Sequence, residues 1–137
     1  MAGAKWSTPS ARSSNFAGTS LNNLANGSES AVMICDNSTA RDLYGAVTVI
    51  LGSITPTTGG SIAVRITVSD GTSTGDRIGG DQYTAPLTTG AGIKTIVFPL
   101  VRLYPFSLRL SVINSSGTSL AASGNELYIT PYGEELS

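Results

Sequence analysis

The sequence predicts an all-β sandwich. Strict apolar alternation, enrichment in β-branched residues and regularly spaced turn formers each point to it. The run Ser61-Ile-Ala-Val-Arg-Ile-Thr-Val-Ser69 places Ile62, Val64, Ile66 and Val68 on one face and Ala63, Arg65 and Thr67 on the other, because side chains alternate along a strand. Val and Ile pack well on such a half-buried pleated surface. Residues 106–113 repeat the pattern, with Phe106, Leu108, Leu110 and Val112 opposite Ser107, Arg109 and Ser111. No amphipathic stretch is long enough for a helix. Seven or eight strands at fairly even spacing predict a single jelly-roll-type β-sandwich. An immunoglobulin-like sandwich is the alternative, weakened by the missing Cys…Trp…Cys spacing.

Two units are expected in the chain. Residues 1–19 are polar, rich in small side chains and free of periodicity, which reads as an extended N-terminal arm. Residues 20–137 are the sandwich domain. Within it, residues 30–35 read as a short strand closed by Asp36-Asn-Ser-Thr39. Residues 44–51 and 61–69 are the most apolar strands, and Gly52-Ser-Ile-Thr-Pro-Thr-Thr-Gly-Gly60 joins them through turn formers. Residues 70–92 form the longest irregular stretch, and loops of that length are often functional. Inside it, residues 82–85 read as a short edge strand that Pro86 ends. Residues 93–98, 106–113 and 126–132 supply the remaining strands, and residues 133–137 a short acidic tail. The expected core is Val47, Val49, Ile62, Val64, Ile66, Val97, Leu108, Leu110 and Ile129.

Composition narrows the function classes. A chain of 137 residues is one domain by default and buries enough surface to fold without staples. Charged residues make up 12%, about half the usual share; Ser, Thr, Asn and Gly carry the polar surface. A net charge of -1 argues against a charge-driven grip on nucleic acid or anionic lipid. No apolar run approaches the roughly 18 residues that read as a membrane span. The N-terminus has no apolar core of the secretory kind, so no signal peptide is expected.

Catalytic and metal chemistries find few residues. The chain has no histidine and a single cysteine, Cys35, which reads as a small buried hydrophobe on a strand and suits cytosolic synthesis. Asp70, Asp76 and Asp81 sit among glycines without the spacing of a calcium loop, so solvated turns are the expected reading. Serine catalysis is left with Lys5 or Lys94 as a base, neither in a supporting motif. Residues 52–60 lack the Gly-Lys-Ser/Thr close of a phosphate loop. Asn26, Asn37 and Asn114 fit the glycosylation pattern but read as turns. Tyr128 and Tyr132 have no basic neighbours on their strand, as an RNA-stacking surface would need. No enzyme, cofactor or metal is expected.

Several stretches, taken in order, resemble a family of small virion proteins, the jelly-roll decoration (cement) proteins on the outside of tailed-bacteriophage heads. They are Ser20-Leu-Asn-Asn-Leu-Ala-Asn-Gly-Ser28, Asp36-Asn-Ser-Thr39, Asp42-Leu-Tyr44, Leu51-Gly-Ser-Ile-Thr-Pro56 and Asn114-Ser-Ser-Gly-Thr-Ser-Leu-Ala-Ala-Ser-Gly-Asn-Glu-Leu127. The similarity covers the chain from about residue 20 onward, except the glycine-rich loop of residues 70–81. It implies a homotrimer that binds the major capsid protein, clamps neighbouring capsomers from the capsid exterior and is made in the host cytoplasm. It implies no nucleic-acid or membrane partner and transfers no catalytic residue. A carbohydrate-binding or tail-fibre-type receptor-binding sandwich is the alternative, for which Tyr44, Tyr83, Tyr104, Tyr128 and Tyr132 are the candidate aromatics.

The arm lies outside the resemblance, and its reading comes from its residues. It holds too little apolar area to offset its backbone entropy, so order is expected only through a partner. Trp6 and Phe16 are its large apolar groups, Lys5 and Arg12 its charges, and Trp and Arg recur as interface anchors. Lys5, Trp6, Arg12 and Phe16 are therefore the expected capsid or subunit contacts. The competing reading is an arm that folds back on its own domain.

Overall fold

The computed structural model describes residues 4–69 and 82–136. It is an all-β sandwich of two antiparallel sheets, as the sequence predicts. In chain order the strands are β1 (Ala4–Trp6), β2 (Met33–Asp36), β3 (Tyr44–Ile54), β4 (Ser61–Ser69), β5 (Gln82–Pro86), β6 (Gly92–Arg102), β7 (Ser107–Ser115), β8 (Glu126–Tyr132) and β9 (Glu134–Leu136). One sheet has the order β2-β7-β4-β5 and the other β6-β3-β8, while β1 and β9 form a two-stranded ribbon. Asp70, Asp76 and Asp81 lie outside the described residues.

The two most apolar strands, β3 and β4, do not pair. They belong to opposite sheets, and the Pro/Gly turn between them crosses the sandwich. Each is flanked on both sides in its own sheet, so each needs an inward apolar face. Val47, Val49 and Leu51 from β3 meet Ile62, Val64 and Ile66 from β4 in one core with Leu108, Leu110, Val112, Leu127 and Ile129. All are buried.

Val97 is a correction to the expected core. It is 52% exposed, whereas Ile96 and Phe98 are buried. The run Ile93-Lys-Thr-Ile-Val-Phe98 is apolar on both faces, so its pattern does not state its phase; the partner strand does. Val47 stands opposite Phe98 and Val49 opposite Ile96, which turns Val97 outward. A bulge follows, where β6 takes three steps (98 to 101) against two of β3 (47 to 45). Phe98 and Val101 therefore both point inward, and Pro99 and Leu100 both lie exposed. Phe106 just precedes β7 and is 40% exposed, outside the inward row it was assigned to.

Buried asparagines hold both ends of the sandwich. At one end Asn114 Nδ2 donates to Leu24 O (2.9 Å) and Thr118 O (2.8 Å), and its Oδ1 accepts from Ser116 N and Oγ. Asn125 Oδ1 accepts from Gly52 N (3.0 Å), while its Nδ2 donates to Asn22 Oδ1 and Ala121 O. A Cβ at Gly52 would run into the Ser123 carbonyl, which explains the glycine there. At the other end Asn37 Nδ2 donates to Asp42 O and Tyr104 O, and its Oδ1 accepts from Asp42 N. Buried polar groups must be paired, and here they pair loop to loop. Asn37 thus fixes the loop that follows β2, and Asn114 and Asn125 the connection from β7 to β8.

Candidate contact surface

The arm is ordered on its own domain. Residues 7, 10, 13 and 16 donate their backbone N–H groups to the carbonyls of Gly133, Pro131, Ile129 and Leu127, at 2.8, 2.8, 2.8 and 3.2 Å. Every third arm residue thus meets every second residue along β8 and Gly133 just past it, a step unlike that of a β-ladder. Side chains complete the pairing. Ser7 Oγ accepts from Gly133 N (2.7 Å), Ser13 Oγ from Ile129 N (2.9 Å) and Asn15 Oδ1 from Leu127 N (3.0 Å). Pro131 has no N–H to offer, and the pairing at Ser10 is the backbone bond alone. The expectation that the arm needs a partner to order it is thereby corrected. Four of its backbone N–H groups are satisfied by the open edge of β8 and the residue that follows it.

The four expected contact residues separate into two pairs. Arg12 lies over the Tyr128 ring, 3.6 Å from its centroid, a cation–π contact within the chain. The Tyr128 hydroxyl donates to Glu126 Oε2 at 2.8 Å, and that bond raises the phenol above its ordinary pKa. Phe16 is half-buried against the core. Lys5 and Trp6 sit instead on the β1–β9 ribbon, where Trp6 is 56% exposed.

Trp6 is held by a pair that register creates. Tyr44 begins β3, Tyr132 ends β8, and the two stand opposite one another. Their rings stack at 5.8 Å, and Trp6 meets them edge-to-face at 5.6 and 5.5 Å, the geometry aromatic quadrupoles favour. Polar tips fix the phenols: Tyr44 Oη donates to Glu134 Oε1 (3.3 Å) and Tyr132 Oη to Pro99 O (2.6 Å). Burial, then Tyr44, pushes the Tyr132 phenol up. On one side of Trp6 an open groove of about 400 Å³ is lined by Trp6, Ser7, Pro9, Pro99, Leu100 and Tyr132. On another, a recess of about 350 Å³ is lined by Ala4, Lys5, Trp6 and Glu134. The β6 bulge builds the first groove, since it turns out Pro99 and Leu100 together.

Of these residues, Trp6 and Lys5 are among the expected contacts of the sequence reading. Tyr44 and Tyr132 stand in the sequence only as scattered aromatics, Pro99 reads there as a bend after residues 93–98 although β6 continues through it to Arg102, and Pro9 and Leu100 carry no signal. Cys35 is half-buried on β2 against the core, with its thiol pKa raised by burial, then by Asp36 and Asp42. No group of three or more Cys, Asp or Glu side chains gathers in metal-binding fashion among the described residues.

No protein-family model matches this chain, and no curated protein matches it. Solved structures resemble it only distantly. TmCBM61, solved in complex with β-1,4-galactotriose, is 12% identical, with 98% of this chain and 88% of that chain covered and a TM-score of 0.36. The Yersinia pseudotuberculosis-derived mitogen is 10% identical over 97% and 85%, with a TM-score of 0.28. Tailspike protein 4 of bacteriophage CBA120 is 8% identical over 99% of this chain and 19% of that one, with a TM-score of 0.31. These likenesses are to the β-sandwich alone.

Proposed function

We propose that this chain is a non-catalytic structural protein of a bacteriophage virion, which docks on the outer surface of the capsid and stabilises the shell by clamping neighbouring capsomers. The family resemblance supplies the class. The observation that supports a docking role is Trp6: more than half exposed, yet fixed between Tyr44 and Tyr132 beside an apolar groove. A large apolar ring presented rigidly loses little entropy on binding, which is what interface anchors share. A protein that binds the assembled shell and not its free subunits stabilises that shell by mass action. The contact assignment centres on Trp6, because Arg12 lies over the Tyr128 ring and Phe16 is half-buried against the core.

Mixing purified protein with undecorated shells and sedimenting them tests this. Trp6→Ala is expected to reduce decoration at least tenfold, and Arg12→Ala much less. Equal decoration by Trp6→Ala and the parent chain would refute the docking surface.

A second reading, a saccharide-binding module, draws on the same clustering, since Trp6, Tyr44 and Tyr132 gather into an aromatic platform with Lys5 and Glu134 at its rim. Retention on host polysaccharide, abolished by Trp6→Ala while shell binding is absent, would favour it.

A further inference from the structure

Trp6 stands on a ribbon separate from both sheets of the sandwich. β1 and β9 form a two-stranded sheet of their own, and a two-stranded ribbon is marginal in water by itself. What fixes the indole against Tyr44 and Tyr132 therefore lies where the ribbon joins the sandwich. There Ser7, the residue after Trp6, meets Gly133, the residue after Tyr132, through two hydrogen bonds. Ser7 N donates to Gly133 O at 2.8 Å, and Gly133 N donates to Ser7 Oγ at 2.7 Å. One step further out Trp6 stands opposite Glu134, whose carboxylate accepts from Tyr44 Oη at 3.3 Å. Two residues 126 apart in sequence are thus clasped at the point that adjoins both Trp6 and Tyr132.

The first bond of the clasp is open to any residue at position 7 except proline, which has no N–H. The second needs an acceptor close to the backbone there, which a serine or threonine hydroxyl supplies. A Cβ at Gly133 would have room, with Ser7 Oγ its nearest neighbour at 3.8 Å, so the clasp depends on the serine and not on the glycine. We propose that Ser7 is a positioning residue for Trp6, holding the indole in the orientation in which it docks. This rests on the reading of Trp6 as the docking anchor. More than half of the ring is exposed, so its own contacts cover less than half of it. An unclasped ring must be ordered at the moment of docking, which costs affinity. The arm's other side-chain acceptors, Ser13 Oγ and Asn15 Oδ1, bond Ile129 N and Leu127 N within β8. They seat the arm away from the ribbon.

Trp6 is the sole tryptophan, so its emission reports this one ring. Acrylamide quenching of the free protein, beside shell decoration, is compared for the parent chain, Ser7→Ala, Ser7→Thr and Ser13→Ala. Ser7→Ala is expected to quench more readily and to bind shells about three- to tenfold more weakly, with an unchanged far-ultraviolet circular dichroism spectrum. Ser7→Thr keeps the hydroxyl and is expected to match the parent in both. Ser13→Ala is expected to lower the melting temperature while Trp6 quenching stays parental. Parental quenching in Ser7→Ala, no rescue by threonine, or an equal rise in Ser13→Ala would each overturn the positioning role. So would a loosened Trp6 in Ser7→Ala with parental decoration, where Trp6→Ala fails to decorate. Quenching needs no shell, so the two readings fail separately: undiminished decoration by Trp6→Ala refutes the docking surface, while quenching still decides whether Ser7 seats the ring.

Discussion

Single buried amides decide more here than single charges. Asn114 is fully buried and spans two loops through both ends of its carboxamide. Asn114→Ala strands several of those partners, each worth about 1–3 kcal/mol when left unpaired and dry. A urea melt is expected to show a loss of that order or more. Leu110→Ala, deep in the core, is expected to cost about 2–5 kcal/mol. Val97→Ala, outward on β6, is expected to leave the melt of the isolated protein within about 0.5 kcal/mol of the parent. Cys35 has a readout of its own. Its thiol pKa is raised by burial and by two carboxylates, so at pH 8 less thiolate is present than on a free cysteine, and the thiolate is the reactive form. Labelling by a disulfide reagent at pH 8 is expected to be slow in the native protein and to speed up in urea.

At the scale of elements, the arm substitutes for a strand without being one. It covers β8 through four backbone bonds and three side-chain acceptors. Deleting residues 1–17 uncovers that edge and also removes Ala17, which is buried in the core. The truncated chain is expected to melt at a lower temperature and to aggregate on concentration, because an open edge is a template for strand addition. The paired variant Ser13→Ala/Asn15→Ala keeps the arm but leaves Ile129 N and Leu127 N without their acceptors. It is expected to destabilise the protein by about 1–3 kcal/mol and to speed hydrogen exchange at those two amides in particular. Parental exchange at both amides would show that the arm is not seated there in solution.

At the scale of the whole molecule, the proposed contact surface lies at the end where β3 begins and β8 finishes. Its centre is uncharged, made by Trp6, Tyr44, Tyr132 and Leu100, with one charge of each sign, Lys5 and Glu134, at the rim. Docking through this surface is expected to change little between low and high salt, whereas a contact carried by Lys5 and Arg12 would weaken steeply as screening increases. Shell binding measured across a salt series separates the two. The opposite end is closed by Asn114, Ser116 and Asn125, all buried, and offers an ordered set of loops without a comparable aromatic cluster.

The sequence by itself determined what short-range periodicity can encode. The all-β class followed from alternation; β4 and β8 fall where the 61–69 and 126–132 patterns place them, and β5 runs one residue past the expected 82–85 to include Pro86. Eight of the nine expected core residues are buried, because in those strands one face is plainly apolar and the other polar. Trp6 stood out because an indole in a polar arm has no local use. What tertiary structure alone decided is whatever depends on a second strand. Val97 faces outward because its run is apolar on both faces and only pairing with β3 sets the phase. The arm is ordered because its backbone bonds go to β8, more than 110 residues away in sequence, and no property of residues 1–19 announces that edge. The Trp6 platform exists because register places Tyr44 opposite Tyr132 and a bulge turns Pro99 and Leu100 to the same side as Trp6. Strand alternation is a local steric fact, whereas register and edge coverage are set by contacts between segments far apart in the chain.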